Sequence, residues 1–392
     1  VNPLDQYATF RSNAGYTNYD LNYSQNGGLV QGYTAFNAAT QSAKWESKTS
    51  VNAGFDATLK GGWSVTFDWF KNTTNDLLVA PPRIPVGGIL QQPYVNLGDI
   101  QNKGFEFMVS KRGNITSDLS YDASLTFTHY KNKAIKIDDN PLTFIAGSAS
   151  RLANVWRTQA GYPLSSYYGY QLDGFFNTPA EVSALNMPGA KVGSWRYKDL
   201  NGDGKIDDND KTFIGNPQPD FVMGVNLGLR YKNFDLSSFF VWNKGGQLFN
   251  YTKYWTEMRV FVGGVSRRVL NEGWTPENHN GVLPYHGTID GSNTTGYTDF
   301  IRSTVSDYYL ESASYFRAKT VQLGYTLPSN VVGKAKLTRA RFYIQGQNLF
   351  TVTNYSGPDP DINIQGGDLY MGLDNAAFPN PRQVLLGLNL TF

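Results

Sequence analysis

The chain has 392 residues, a net charge of +2 and no cysteine, and only 17% of its residues are charged. A balance so near neutral gives no basis for a polyanion-binding surface, and the lack of cysteine excludes disulfides, thiol catalysis and cysteine zinc sites. Aromatics make up 15%, with 25 Tyr and 24 Phe, yet no apolar run approaches the ~18 residues of a membrane helix.

Alternation with period 2 dominates, and helical periodicity is nearly absent. In chain order, strands are expected near 46–60 and 63–73, joined by "KGGW", then at 100–111 and 118–131. A further pair is placed at "SRLANVWRTQ", about 150–159, and at 166–176. The remainder fall at 221–231 and 234–243, joined by "YKNF", at 315–327 and 339–350, and at 382–392. In "WSVTFDW", Trp63, Val65, Phe67 and Trp69 share one face, opposite Ser64, Thr66 and Asp68. In "LSYDASLTFTHY", Leu119, Tyr121, Ala123, Leu125 and Phe127 oppose Ser120, Asp122, Ser124, Thr126 and Thr128.

A soluble β-sandwich also alternates, because one face of each sheet packs on the core. Here the polar faces are rich in Gly, Ser, Thr and Asn, as a wet lumen would be, and Tyr and Trp recur near strand ends, as at a bilayer interface. The connections differ by side as well. Tight turns alternate with long segments at about 74–99, 132–149, 177–219, 244–313 and 351–381. A connection as long as 244–313 argues against a compact soluble domain. The fold class expected is all-β, a transmembrane antiparallel up-and-down barrel with long extracellular loops.

The terminal Phe392 resembles the assembly signal that ends the last strand of outer-membrane barrels on the periplasmic side. Walking back from it through eleven expected strands puts Val1 outside the cell, although single-chain bacterial barrels have even counts. Residues 1–44 are therefore expected as an extracellular loop and 45–392 as the C-terminal part of a larger barrel. The rest of that barrel would come from a separate piece.

Several stretches together resemble the SusC-like TonB-dependent transporters. The most specific is "YKDLNGDGKIDDNDKTFIGNPQPDFVMGVNLGLRYKNFDLSSFFVWNKGG". "KWESKTSVNAGFDATL", "NLGDIQNKGFEFMVS", "GYPLSSYYGYQLDGFF", "VQLGYTLP" and "RFYIQGQNLFTVTNYSGPDPDI" are similar to successive blocks of that family, in the same order. Such transporters are 22-stranded with a plugged lumen, so the resemblance identifies this chain with the C-terminal half. It implies import across a Gram-negative outer membrane, a SusD-like surface lipoprotein as a lid, and TonB acting through a plug in the N-terminal half. The implied substrates are oligosaccharides or oligopeptides, and nothing in the sequence chooses between them.

One motif carries metal chemistry. "DLNGDGKIDDND" reads as an EF-hand calcium loop, with Asp199, Asn201 and Asp203 at positions 1, 3 and 5. Gly204 makes the turn, Lys205 offers its carbonyl at 7, Asp207 sits at 9 and Asp210 at 12. Hard oxygen donors at this spacing suit Ca²⁺, though Asp210 is shorter than the usual Glu and the flanking EF-hand helices are absent. The alternative is a surface loop of Asx turns that binds no metal. Upstream, "TPAEVSALN" is expected to form a short helix with Thr178 as N-cap and Glu181 completing a capping box. As structural calcium, the ion would stiffen an extracellular loop on the lid-facing rim.

No G-x-S-x-G, P-loop or G-x-G-x-x-G run is present, and His129, His279 and His286 show no ligand spacing, so no enzyme is expected. Trp255 and Trp274, in the longest loop, are candidates for stacking on sugar rings or on the lid; the alternative is that they pack the loop itself. Asp359 and Asp361 of "GPDPDI" are expected as turn formers near the rim. Two other functions stay open at this point: a passive outer-membrane channel, and a secreted carbohydrate-binding β protein.

Overall fold

The computed structural model describes residues 9–11, 18–19, 30–31, 34–37, 44–79, 95–96, 98–260, 264–287, 296–333, 337–362 and 369–392. Most of the expected extracellular loop 1–44 lies outside the described residues. One large antiparallel sheet forms a wall. Its strands are β1 (Ser47–Leu59), β2 (Trp63–Asn75), β3 (Asp99–Asn114), β4 (Leu119–Lys136) and β5 (Phe221–Tyr231). They continue as β6 (Phe234–Lys244), β7 (Tyr315–Thr326), β8 (Arg339–Gln347) and β9 (Gln383–Thr391). Each pairs with its neighbour in sequence, the up-and-down order, and a short strand Thr351–Thr353 adds to the top of β7.

Period-2 alternation fixes which face meets which solvent. Registers align Phe55, Phe67, Phe107, Phe127, Met223, Trp242 and Phe316 in one row across seven strands. Aromatic rings stack diagonally along it, Phe55–Phe67 at 6.0 Å, Phe67–Phe105 at 6.1 Å and Phe105–Phe127 at 5.9 Å. Among the described residues no protein layer covers this face: Phe55 is 58% exposed and Leu386 82%. A continuous exposed apolar sheet face is untenable in water and suits lipid. The opposite face carries hydrogen-bonded polar side chains, with Thr66 donating to Asp56 (2.6 Å), Asn132 to Asn102 (2.7 Å) and Arg112 to Asp122 (3.2 Å).

The tight turns lie at one rim. Gly61 and Gly62 both take φ +81, the left-handed region that the "KGG" turn demands. The long connections all leave the opposite rim. The expected alternation of short and long links is therefore present.

The strand count differs from expectation. The segments at 150–159 and 166–176 contain strands, Leu152–Gln159 and Ser166–Gly169, but neither enters the wall. β4 pairs directly with β5 from Leu119–Tyr231 to Thr128–Val222, which leaves no place between them. Leu152–Gln159 is buried on both faces, at Leu152, Val155, Trp156 and Thr158, and so lacks the one-sided alternation of a lipid-facing strand. Among the described residues nine strands, rather than eleven, make the continuous wall, and 137–220 is a single excursion above it.

Candidate functional site

The hydrophobic core lies above the wall, where the long connections pack on one another. Residues 137–220, 245–314 and 348–382 contribute to one buried cluster that includes Trp156, Tyr167, Trp195, Phe249, Trp274 and Tyr309. A three-stranded sheet joins the second and third connections through Leu310–Ser312, Gln247–Asn250 and Leu373–Asp374. Indole N–H groups cross between connections: Trp156 donates to the Met371 carbonyl (2.8 Å), Trp195 to Val282 (3.1 Å) and Trp274 to the Asn177 side chain (2.8 Å). The Tyr167 hydroxyl lies between the carbonyls of Gln247 (3.0 Å) and Gly372 (2.9 Å), its one hydrogen shared between them. These long connections form a packed cap, because the indole and hydroxyl tips of Trp156, Trp195, Trp274 and Tyr167 each find a partner on another connection.

Trp274 is a central member of that core. It is 2% exposed, stacks on His279 at 5.0 Å and meets Tyr285 edge-on. An indole so enclosed cannot stack on a sugar or a lid, so its expected contact role is corrected: it packs the cap. Trp255 is half-buried, edge-on to Tyr251 and Tyr254, and donates to Asn375 (3.0 Å).

The 199–210 loop sits on this cap. Its helix-side anchor forms as the sequence implies: Pro179–Ala184 is helical, and Thr178 accepts from the Glu181 N–H at 3.2 Å. Glu181 reaches back one residue further than a capping box requires, to the Asn177 N–H (2.7 Å). The loop is tied to the helix exit by a parallel bridge between Asn186 and Lys205, which buries Ile206.

Within the loop, side-chain oxygens turn onto backbone amides. Asp199 accepts from Gly202 (2.7 Å) and Gly204 (2.8 Å), and both glycines take positive φ. The Gly204 amide, followed by that of Gly202, holds the Asp199 carboxyl below its usual range despite partial desolvation. Asn201 accepts from Asp203, Asp203 from Lys205, and Asp207 from Asn209. Asp210 is fully buried and accepts from Leu200 (2.9 Å) and Asp207 (2.9 Å). The donor chemistry suits Ca²⁺. The arrangement itself is not a cage. Among the described residues no three His, Asp or Glu side chains converge on a metal position.

Beside the loop lies a cleft of about 210 Å³ lined by Tyr168, Tyr170, Phe300, Asp208 and Lys211. Asp208 and Lys211 pair across it at 2.7 Å.

One ion-pair cluster was not visible in the sequence. Arg317, on β7 and 2% exposed, pairs with Asp359 and, at 3.2 Å, with Asp361, while Lys319 reaches Asp361 at 2.6 Å. Asn380 also donates to Asp359 (2.9 Å). Burial pushes the Asp359 carboxyl up, but bonds from Asp361 N–H, Arg317 and Asn380 outweigh it and leave it below its usual range. Asp359 and Asp361 thus clamp the third connection to the wall. The available signal was the pair of cations Arg317 and Lys319 in "YFRAKT", with a Pro-rich diacid, Asp359 and Asp361, further along the chain.

The family model described as TonB dependent receptor-like, beta-barrel matches residues 4–244. TonB-dependent receptor P3 of Formosa agariphila is 32% identical over 379 residues, covering 93% of this chain and 36% of that protein. TonB-dependent receptor SusC of Bacteroides thetaiotaomicron is 29% identical over 364 residues, covering 91% and 33%. The chain spans about a third of the length of these curated relatives. Among solved structures, the RagAB peptide transporter superposes with a TM-score of 0.76 at 23% identity, over 99% of this chain and 38% of that one. At that identity the likeness concerns the fold, and it is a barrel fold. None of these relatives is an enzyme. With its lipid-facing wall, its polar inner face and its match to the family, the chain belongs to the TonB-dependent receptor-like β-barrels of the Gram-negative outer membrane.

Proposed function

We propose that this chain supplies part of the barrel wall and of the extracellular cap of a SusC-like, TonB-dependent importer of oligosaccharides or oligopeptides. The observation that carries the reading is the cap: three long connections share one aromatic core above a wall that matches the family. A packed cap offers a shaped surface to a lid, which a SusD-like lipoprotein would supply, and Trp255, half-buried beside Tyr251 and Tyr254, would be the aromatic contact for substrate or lid. TonB would act through the plug of the whole transporter. The likeness to SusC favours the lipoprotein partnership, and the likeness to a peptide transporter keeps oligopeptides in view. The test is purification of the intact transporter from its native membrane, with mass spectrometry of what accompanies it, together with uptake in cells lacking TonB. A stoichiometric lipoprotein and TonB-dependent uptake are expected. Uptake that persists without TonB would instead establish a passive channel.

For the 199–210 loop we propose structural calcium, supported by the oxygen-donor spacing of Asp199, Asn201, Asp203, Lys205, Asp207 and Asp210. At an affinity of about 10⁻⁴ M and ~1 mM calcium, the gain is about 1.4 kcal/mol, enough to order a loop. Terbium luminescence and protease resistance of 177–219 are the measurements. Both should fall on chelation and in Asp203→Ala; a loop indifferent to chelation is a set of Asx turns.

A further inference from the structure

The lipid-facing side of the wall carries one row that does not suit lipid. Lys71, Lys103 and Lys131 are directly cross-strand, Lys71 opposite Lys103 and Lys103 opposite Lys131. All three are exposed. They occupy the apolar face, because Lys71 continues the series Trp63, Val65, Phe67 and Trp69, and Lys103 the series Phe105, Phe107 and Val109. Directly opposed like charges destabilise a sheet. Among the described residues no carboxylate offsets them, since none of the three makes an ion pair. The row below is Ala53, Trp69, Phe105 and His129, and the row above is Thr49, Thr73, Gln101 and Lys133; neither holds an acid.

Position gives the row its meaning. It lies toward the rim of the long connections, immediately beyond the aromatic residues. On β3 the apolar stretch is bounded at the other rim by Lys111, whose ammonium sits 4.6 Å over the Trp63 ring. From Lys103 to Lys111 is roughly 26 Å along the strand, or about 20 Å once tilted, just short of the ~25 Å apolar band of outer-membrane barrels. The three ammonium groups therefore reach the outer interface by snorkelling. Two strand spacings place them within about 10 Å of one another. We propose that Lys71, Lys103 and Lys131 form an outward-facing cradle for the phosphate of an outer-leaflet lipid headgroup. The apolar rows beneath accept the acyl chains, and the anion offsets the repulsion that the row otherwise carries. A headgroup held there would order the β2–β4 rim directly under the cap.

The experiment uses the intact transporter in detergent, titrated with purified lipid A in phosphorylated and enzymatically dephosphorylated forms and read by native mass spectrometry. The phosphorylated form should be retained at least tenfold better. The Lys71→Gln/Lys103→Gln/Lys131→Gln variant should lose that preference, whereas the triple Lys→Arg variant and Lys111→Gln should keep it. Heat-modifiable migration on gels reports barrel assembly for each. If the triple Gln variant does not assemble, the comparison of the two lipids on the unmodified protein decides alone. Equal retention of both lipids would reduce the row to a generic annulus and overturn the proposal. Full displacement of phosphorylated lipid A by millimolar inorganic phosphate would also overturn it, in favour of a free-anion site.

Discussion

Leu125 and Ser124 are adjacent in sequence and face different solvents. Leu125 stands between Val109 and Val225 on the lipid side, and Ser124 accepts from Asn226 on the inner side at 3.3 Å. An Arg on the lipid side near mid-membrane costs about 2–4 kcal/mol. Leu125→Arg should therefore sharply reduce folded protein in outer-membrane fractions, and Ser124→Arg should do so far less. Equal yields from the two variants would remove the case for a lipid-facing wall. Arg317 tests a different solvent, the buried seam between wall and cap. Arg317→Ala leaves Asp359 charged and enclosed, and breaking such a pair typically costs about 3–5 kcal/mol. The expected readout is faster amide exchange in 354–362, with the wall strands β3 to β5 unaffected. Lys at 317 should recover only part, because it cannot present the guanidinium fork to Asp359, Asp361 and Thr351 together.

At the scale of elements, cap and wall are stabilised differently. The wall has two-sided exposure and relies on lipid, while the cap buries Trp195, Trp274, Tyr167, Phe176 and Phe249 almost completely. Trp274→Ala should destabilise the cap by about 3–5 kcal/mol, seen as protease cutting in 266–287, with heat-modifiable barrel migration retained. Acid should act on the cap as well. Arg268 holds the Glu272 carboxyl below its ordinary 4.5, and Asp359 likewise lies below 3.8. Depressed values mean a contribution fully present above the ordinary pKa and lost as pH falls through the folded one. Cap tryptophan fluorescence should therefore hold steady down to about pH 5 and change only below about pH 4. The sequence showed the wall clearly, because each lipid-facing strand had to alternate: "WSVTFDW" and "FVMGVNLGLRY" could be placed to within a residue or two. It showed the cap poorly. Leu152–Gln159 is buried on both faces and has no period to read, and Trp274 looks the same in sequence whether it faces a ligand or a core. The calcium spacing was legible, but where Asp203 and Asp210 aim their oxygens depends on Gly202, Gly204 and the 3₁₀ turn Asp208–Asp210, which spacing does not encode.

At the scale of the molecule the decisive feature is two open edges. β1 pairs only with β2, and β9 only with β8, so the outer edges of Ser47–Leu59 and Gln383–Thr391 have no partner among the described residues. In hydrocarbon each unsatisfied backbone group costs several kcal/mol, so neither edge can face lipid. Joining β1 to β9 does not solve this simply. With nine strands in alternating order both edge strands run the same way, and self-closure would need a parallel seam. Two copies of the wall meet the same obstacle at both seams. Antiparallel closure requires an odd number of additional strands, and a 22-stranded barrel would take about 13. We therefore expect the transporter to contribute an odd set of further strands that pair with both edges, alongside its plug. Single cysteines at Ala53 on β1 and Leu386 on β9 offer the check, combined with cysteines on the remaining strands of the whole transporter. Disulfides should form from each edge to those strands and never between Ala53→Cys and Leu386→Cys themselves. A direct cross-link between the two edges would show that this wall closes on itself, and the argument for a larger barrel would fail.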